Sequence, residues 1–272
     1  MDRAPETLVE AFPPMRYRAL DGHAELAVAE AAGSAGSRPA RVTTILAALY
    51  AGFGEASADQ GAARRVSAAG REWLLQRAAL RFRGQWEWYE APCDACGARF
   101  DLRLSLTDIP RTGAGSGFPV AEVSTSLGRR RFEAPNGGHE EALASMRDDE
   151  DPRRVFAALC GLSEAAEAEA IRFDLHDLAR IDAALEAVSP DVADSVEAFC
   201  PDCGSACQAR IDPLTFAFPL VETLLREVHV IASAYCWTEP EILDLPVARR
   251  RAYAELIRAE RGTPLSRGRR AS

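Results

Sequence analysis

The chain has 272 residues, of which 47% are hydrophobic and 27% are charged, and its formal net charge at pH 7 is −9. This composition excludes a wholly disordered or fibrous protein, and the apolar runs are too short and too often interrupted by charge to span a bilayer. The first residues lack the apolar core of a signal peptide, so we expect a protein without a membrane segment that stays in the cytoplasm.

The N-terminal segment, residues 1–39, is predicted to be poorly ordered. Pro13-Pro14 and the glycine- and serine-rich residues 33–37 interrupt any long pattern, and only a short helix near residues 24–32 is expected.

Two helices and a first β-hairpin are predicted in residues 40–110. Apolar side chains at helical spacing predict helices over residues 40–53 and 68–82. Strict alternation of apolar and polar residues then predicts one strand before Cys93 and one after Cys96, so that both cysteines lie in the connecting turn.

The motif Cys-x-x-Cys-Gly occurs twice, and each copy lies between short segments of strand character. Two copies supply four thiolates, a closed tetrahedral set that suits a structural zinc ion and leaves no position for a catalytic water. The copies are far apart in the sequence, so the ion would join distant halves of the chain. The predicted zinc ligands are Cys93, Cys96, Cys200 and Cys203.

Two other interpretations of these four cysteines stay open, a redox-active dithiol pair and a set of unrelated buried thiols. A redox motif normally accompanies a thioredoxin-like fold, which the sequence pattern does not show, and a chain without an export signal is not expected to carry a disulfide framework. Of the other cysteines, Cys160 and Cys236 are predicted to be core thiols. Cys207 lies near the second motif but is not needed as a ligand.

Residues 111–190 form an inserted region between the two cysteine motifs. It is predicted to contain a flexible glycine-rich link over residues 112–117, two short strands over 119–132 and helices over 138–188.

Residues 191–262 combine the second cysteine motif with a C-terminal helical pair. An amphipathic helix is predicted over residues 220–237, followed by a capping box from Thr238 to Glu241 and by a last helix. A basic, disordered tail is predicted over residues 263–272.

No group of residues suggests catalysis. His139-Glu140-Glu141 resembles the start of a zinc-protease motif, but Leu143 stands where the second histidine should be. His229 lies in an apolar helix and is interpreted as a packing residue. We therefore expect that the protein is not an enzyme.

The C-terminal end is the one strongly basic part of the chain. From Arg249 onward, eight arginines against two glutamates give +6, so the rest of the chain carries −15. Arg249, Arg250 and Arg251 on the last helix could contact phosphates, which gives an alternative function, a zinc-ribbon nucleic-acid-binding regulator that uses the C-terminal helix-turn-helix. The acidic body opposes this alternative, so nucleic acid is not the expected partner.

The C-terminal part also carries a family resemblance, together with a shorter stretch near the first cysteine motif. The C-terminal residues are Arg226-Glu227-Val228-His229, Ala232, Tyr235, Trp237-Thr238-Glu239, Glu241-Ile242-Leu243-Asp244-Leu245-Pro246, Arg249-Arg250-Arg251, Tyr253 and Leu256. The N-terminal ones are Gly70-Arg71-Glu72, Leu74-Leu75 and Arg81-Phe82-Arg83-Gly84. Together, over roughly residues 40–105 and 195–258, the chain resembles the baseplate hub assembly chaperone-like proteins of contractile phage tails and contractile injection systems.

This resemblance implies a non-enzymatic baseplate component or assembly chaperone, with hub, spike or tube-initiating proteins as partners. It also implies association with the particle as an alternative to a free cytoplasmic protein. The expected fold is α+β, with helical N- and C-terminal parts around a split zinc ribbon built from the two Cys-x-x-Cys β-hairpins. The residues expected to bind the partner are Arg249, Arg250, Arg251, Tyr253 and Trp237.

Overall fold

The computed structural model describes residues 2–262, and the basic tail predicted at 263–272 lies outside them. Helices and short antiparallel strands are mixed along the chain, in agreement with the predicted α+β class. Among the described residues, no helix is both long enough and apolar enough to cross a membrane.

The N-terminal segment is more regular than its sequence predicts. Residues 1–39, expected to be poorly ordered, contain strand β1 (Met15–Tyr17) and helix α1 (Gly22–Gly33). Helix α1 begins where the carboxylate of Asp21 accepts a hydrogen bond from the backbone N–H of Ala24 at 2.8 Å. Strand β1 pairs with a strand more than 30 residues later in the chain, a contact that local sequence patterning does not contain.

Helices and two short strands follow. They are α2 (Arg38–Leu49), β2 (Tyr50–Phe53), β3 (Ala56–Ser57), α3 (Gln60–Arg65) and α4 (Ala68–Ala79). The first predicted helix ends at Leu49 instead of residue 53, because the residues from Tyr50 onward pair with β1 in a three-stranded antiparallel sheet. The Tyr50 hydroxyl donates to the backbone carbonyl of Leu74 at 2.7 Å and so ties this sheet to α4.

Both predicted hairpins are present. Strand β4 (Trp86–Pro92) pairs with β5 (Arg99–Ser105), and β10 (Ser195–Phe199) pairs with β11 (Ala206–Arg210). Because side chains alternate along a strand, each hairpin turns one apolar face inward, and the two faces share a small core. Its buried members are Ala91, Cys93, Phe100, Cys200, Cys207 and Ala209.

The region between the hairpins has a core of its own. Its first strand, β6 (Arg111–Thr112), pairs with β9 (Asp191–Val192) near its end, so the two ends of the region lie side by side. Its other elements are β7 (Val120–Thr125), β8 (Gly128–Glu133), α5 (Gly137–Ala144), α6 (Pro152–Cys160), α7 (Ala166–Arg172) and α8 (Leu175–Val188). The glycine-rich stretch expected to be a flexible link is held against this unit, since the N–H of Gly115 donates to the carbonyl of Val188 at 3.0 Å.

Helix α9 (Pro213–Phe216) contributes Leu214 to the largest core. The last three helices, α10 (Val221–Tyr235), α11 (Glu239–Leu243) and α12 (Val247–Gly262), pack around a third core. The predicted capping box is confirmed, because the Glu241 carboxylate accepts the backbone N–H of Thr238 at 2.8 Å. Leu224, Ile231 and Ile257 lie in this core, and α1 packs against it.

The largest core joins both ends of the chain. Leu46 and Leu74 from α2 and α4 pack in one cluster with Ile109, Ile211 and Phe218, which flank the two hairpins. The residues before the first hairpin and those after the second therefore share one core.

A buried arginine, Arg71, lies at the centre of the N-terminal helices. Its guanidinium donates to the hydroxyl of Thr43 and to the carbonyls of Ala63 and Pro39, and it pairs with Glu140 at 2.9 Å. One side chain thus connects α2, α3, α4 and α5, which explains by packing alone why an arginine stands at this position.

Candidate metal centre

Each cysteine motif forms the same tight turn. The N–H of Gly97 donates to the carbonyl of Cys93 at 2.8 Å, and the N–H of Gly204 donates to the carbonyl of Cys200 at 2.9 Å. The φ angles of the two glycines are +76° and +73°, a left-handed conformation that residues with a Cβ rarely adopt. The glycine after each motif is therefore required by the turn that directs both thiols to one side.

The two turns face each other and bring four sulfur atoms together. The Sγ atoms of Cys93 and Cys203 are 3.7 Å apart, as are those of Cys96 and Cys200, and all four lie within 4.8 Å of one another. Four sulfur ligands placed tetrahedrally at about 2.3 Å from an ion would be about 3.8 Å apart. The cluster can therefore hold a metal ion, and its donor set and size fit a tetrahedral one.

The site is closed on its inner side and open on its outer side. Cys93 and Cys200, the first cysteine of each motif, are buried in the shared core of the hairpins, whereas Cys96 and Cys203 are exposed. An ion can therefore reach the sulfurs from solvent, while packing fixes half of the ligand set.

The thiols differ in acidity. The backbone N–H of Cys96, with that of Ala95, lowers the pKa of Cys93 to about 6, and the Ser205 hydroxyl lowers that of Cys203. The backbone N–H of Ala98 lowers the pKa of Cys96, but the sulfurs of Cys203 and Cys93 beside it raise this pKa to about 12 overall. Ionising one thiol hinders its neighbour, and a bound cation would relieve this conflict because it stabilises every thiolate.

A fifth thiol, Cys207, lies behind the cluster. It is buried in the hairpin core, its Sγ is 3.5 Å from the carbonyl oxygen of Ser205, and burial raises its pKa. It is not one of the four clustered ligands. Cys160 is a core thiol as predicted, but Cys236 is exposed at the end of α10, in a left-handed conformation with φ +57°, so that prediction was wrong.

Of the predicted partner-binding residues, three meet at one surface. The rings of Trp237 and Tyr253 have centroids 5.3 Å apart, and Tyr235, which is 41% exposed, stacks on Trp237 at 5.0 Å. The guanidinium of Arg249 lies 5.8 Å from the ring centroid of Tyr253. We call Tyr235, Trp237, Tyr253 and Arg249 the aromatic cluster; the sequence analysis did not assign Tyr235 to partner binding.

Arg250 does not belong to that surface, contrary to the prediction. Its side chain is fully buried and forms ion pairs with Glu25 of α1 and, at 3.1 Å, with Glu227 of α10. Arg251 is half exposed and pairs with Glu25 at 2.8 Å. Two neighbouring carboxylates thus hold these arginines against the protein, because a buried charge needs a partner of opposite sign.

The inserted region contains a polar chain that was not predicted from the sequence. The Sγ atom of Cys160 is 3.8 Å from Nδ1 of His139, whose Nε2 is 3.6 Å from a carboxylate oxygen of Glu133. Burial raises the pKa of Cys160 and lowers that of His139, which favours a neutral thiol beside a neutral imidazole and not a nucleophile. The other Glu133 oxygen accepts the backbone N–H groups of Glu6 and Thr7 at 2.8 Å, so the chain anchors the N-terminal segment.

The remaining histidine prediction is also corrected. His229 was expected to pack inside the protein, but it lies on the exposed side of α10, because the buried face of that helix is centred on Leu224, Val228 and Ile231.

Comparisons of the chain with protein-family models, with curated proteins and with solved structures give no match.

Proposed function

We propose that Cys93, Cys96, Cys200 and Cys203 bind one structural Zn²⁺ ion, and that the two hairpins form a split zinc ribbon around it. The sulfur separations of 3.7 Å support this assignment, since they match tetrahedral coordination, and the all-thiolate donor set is typical of structural zinc. Such a site contributes folding energy and holds the two hairpins together; it has no open position for a reacting water.

We further propose a non-enzymatic role as a baseplate component or assembly chaperone of a contractile, phage-tail-like injection system. The family resemblance suggests this role. The aromatic cluster is the observation that supports docking of a partner protein. Tyrosine, tryptophan and arginine are the residue types that dominate binding energy at protein interfaces. Tyr235 and Arg249 are exposed, and Trp237 and Tyr253 are half-buried against the C-terminal core, so the cluster offers a surface to a hub, spike or tube-initiating protein.

The alternative, a nucleic-acid-binding regulator, is weakened by the position of Arg250. With that side chain buried and Arg251 paired to Glu25, the last helix does not offer three free arginines to phosphates. Arg249 alone of the three is exposed without an ion pair to a described residue.

Elemental analysis of the purified protein tests the zinc assignment. We expect one zinc per chain in the wild type, and loss of zinc and of thermal stability in Cys200→Ser. Cys236→Ser is the matched control, since Cys236 is exposed and outside the cluster, and it should keep both. A zinc-free wild type, with Cys200→Ser folding normally, would exclude the split ribbon.

Co-purification with separately co-expressed hub, spike and tube-initiating proteins tests the docking role. Arg249→Glu combined with Tyr235→Ala should reduce capture of the true partner by about tenfold or more, because both residues belong to the aromatic cluster. Arg172→Glu, an exposed charge reversal at the end of α7, is the control and should bind normally. Unchanged capture by the double variant would refute the docking surface, and a gel shift that weakens steeply with salt would favour the regulator.

A further inference from the structure

A second surface on α10, separate from the aromatic cluster, is apolar and open. The helix buries the side chains centred on Leu224 and Val228, but the neighbouring stripe, which includes Val221 and Leu225, faces outward. Leu225 is 45% exposed, and Leu220, just before the helix, is 69% exposed. Exposed apolar side chains that lie together, with polar residues at their rim, are a feature of interaction sites.

This stripe forms one side of a groove of about 960 Å³ between α10 and α12. Val221, Leu225 and Val230 supply its apolar floor. The residues that complete its lining are Glu222, Thr223, Arg226, His229 and Arg258. Leu225 and Tyr235 are ten residues apart on one helix, about 15 Å along its axis, so the groove and the aromatic cluster can each take a separate partner segment.

The charges on the rim of the groove are not balanced. Arg226 donates to the Glu222 carboxylate at 2.5 Å, which makes a neutral pair. The Arg258 guanidinium and the His229 ring form no hydrogen bond or ion pair within the part of the chain that the structure describes. Two unpartnered nitrogen donors, one of them a permanent cation, therefore flank an apolar floor.

We propose that this groove binds an amphipathic α-helix of another protein, with leucine-like side chains on its apolar face and carboxylates on the flank beside Arg258 and His229. From Val221 to Val230 the floor extends over ten residues of α10, about 14 Å along the axis. This length accommodates two to three turns of a partner helix, with anchors at i, i+4 and i+7. Carboxylates on the flank would pair with Arg258, and such rim pairs set the choice of partner.

Residues 263–272 do not have the charge of the proposed partner helix. Residues 263–272 carry three arginines, no acidic residue and one leucine, so their sign is the same as that of Arg258. Charge complementarity therefore favours an acidic partner segment over the chain's own tail. The proposal requires neither the zinc ion nor the baseplate role.

The test uses two fluorescein-labelled amphipathic peptides of about 18 residues, long enough to form a helix on binding. Both have leucines at i, i+3 or i+4, and i+7; one has glutamates at the flanking positions and its twin has lysines. Fluorescence anisotropy with the full-length protein should show about tenfold or tighter binding of the glutamate peptide. Leu225→Asp should weaken its binding at least about tenfold, and Arg258→Glu should reverse the preference between the twins. Arg172→Glu, an exposed charge reversal far from the groove in the sequence, should bind like the wild type.

Several results would overturn the proposal. They are no binding of either peptide to the wild type, equal binding of the twins, and binding that Leu225→Asp leaves unchanged in a protein whose melting curve matches the wild type. A wild-type dimer in sedimentation that Leu225→Asp converts to monomer would assign the groove to a second copy of the chain instead.

Discussion

Replacing Arg250 with methionine should destabilise the protein by about 3 kcal/mol. The arginine is fully buried and is shared by two carboxylates, those of Glu25 and Glu227, which are 2% and 8% exposed. Removing one partner of a buried ion pair typically costs about 3–5 kcal/mol, because the other charge stays out of water. Arg251 remains within 2.8 Å of Glu25 and 4.0 Å of Glu227, which places the cost at the lower end of that range.

Urea unfolding followed by tryptophan fluorescence measures this effect, since Trp237 packs against the same core. A loss of 3 kcal/mol is roughly a hundredfold change in the unfolding equilibrium, well outside experimental error. Arg249→Met, at the adjacent exposed position, should change stability by no more than about 0.5 kcal/mol. Adding Glu25→Gln to Arg250→Met should recover part of the loss. Equal stability of Arg250→Met and Arg249→Met would refute the buried network.

Three further predictions concern other parts of the chain. Gly22→Ala should destabilise the protein by about 1–3 kcal/mol in the same unfolding assay. The alanine Cβ would lie 2.7 Å from the Arg250 guanidinium and 2.7 Å from the Cα of Leu243. A variant as stable as the wild type would show that α1 and α11 can move apart at this point. Asp177 is buried, which raises its pKa, but hydrogen bonds from Ser126 and neighbouring groups outweigh burial and lower the pKa from 3.8 to about 2. A carboxyl whose folded-state pKa is depressed stabilises the protein above its unfolded-state pKa. The wild type should therefore be more stable than Asp177→Asn, with the full difference above about pH 4 and none near pH 2. A constant difference across this range would contradict the assignment. Cys207→Ala should retain one zinc per chain by elemental analysis, since four other thiolates complete the site, and a metal-free variant would make Cys207 a ligand.

The hairpins and the cysteine cluster could be predicted from sequence because their signals are local. A period of two identifies each strand, and the Cys-x-x-Cys-Gly spacing identifies each turn within five residues. Two such motifs supply the four ligands of one tetrahedral site, so the spacing also predicts that the motifs lie close together. The capping box at Thr238 was predictable for the same reason.

The direction of Arg250 could not be predicted because its partner is distant in sequence. Three consecutive residues on a helix point in directions about 100° apart, so one of three adjacent arginines readily faces inward. Which one does so depends on Glu25, 225 positions away. The order in residues 1–39 was missed for a similar reason, since β1 exists through its pairing with β2.

The contacts of Glu133 with the N-terminal segment could not be predicted from sequence for the same reason. Its partners come from the N-terminal segment and from α5, and no spacing rule connects Glu133 to Glu6 or Thr7. His139 was noticed only as an incomplete protease motif, because its neighbour Cys160 lies on another helix.

The separation of the two cysteine motifs along the chain means that they are synthesised at different times. Cys96 and Cys200 are 104 positions apart, so at a ribosomal rate of about 5–20 residues per second the first motif is synthesised about 5–20 s before the second. During that interval the nascent chain contains only two of the four clustered cysteines. The four sulfur atoms can come together only after the inserted region between the motifs has been translated. A polypeptide truncated before residue 200 therefore contains only one of the two motifs and cannot form the proposed zinc site.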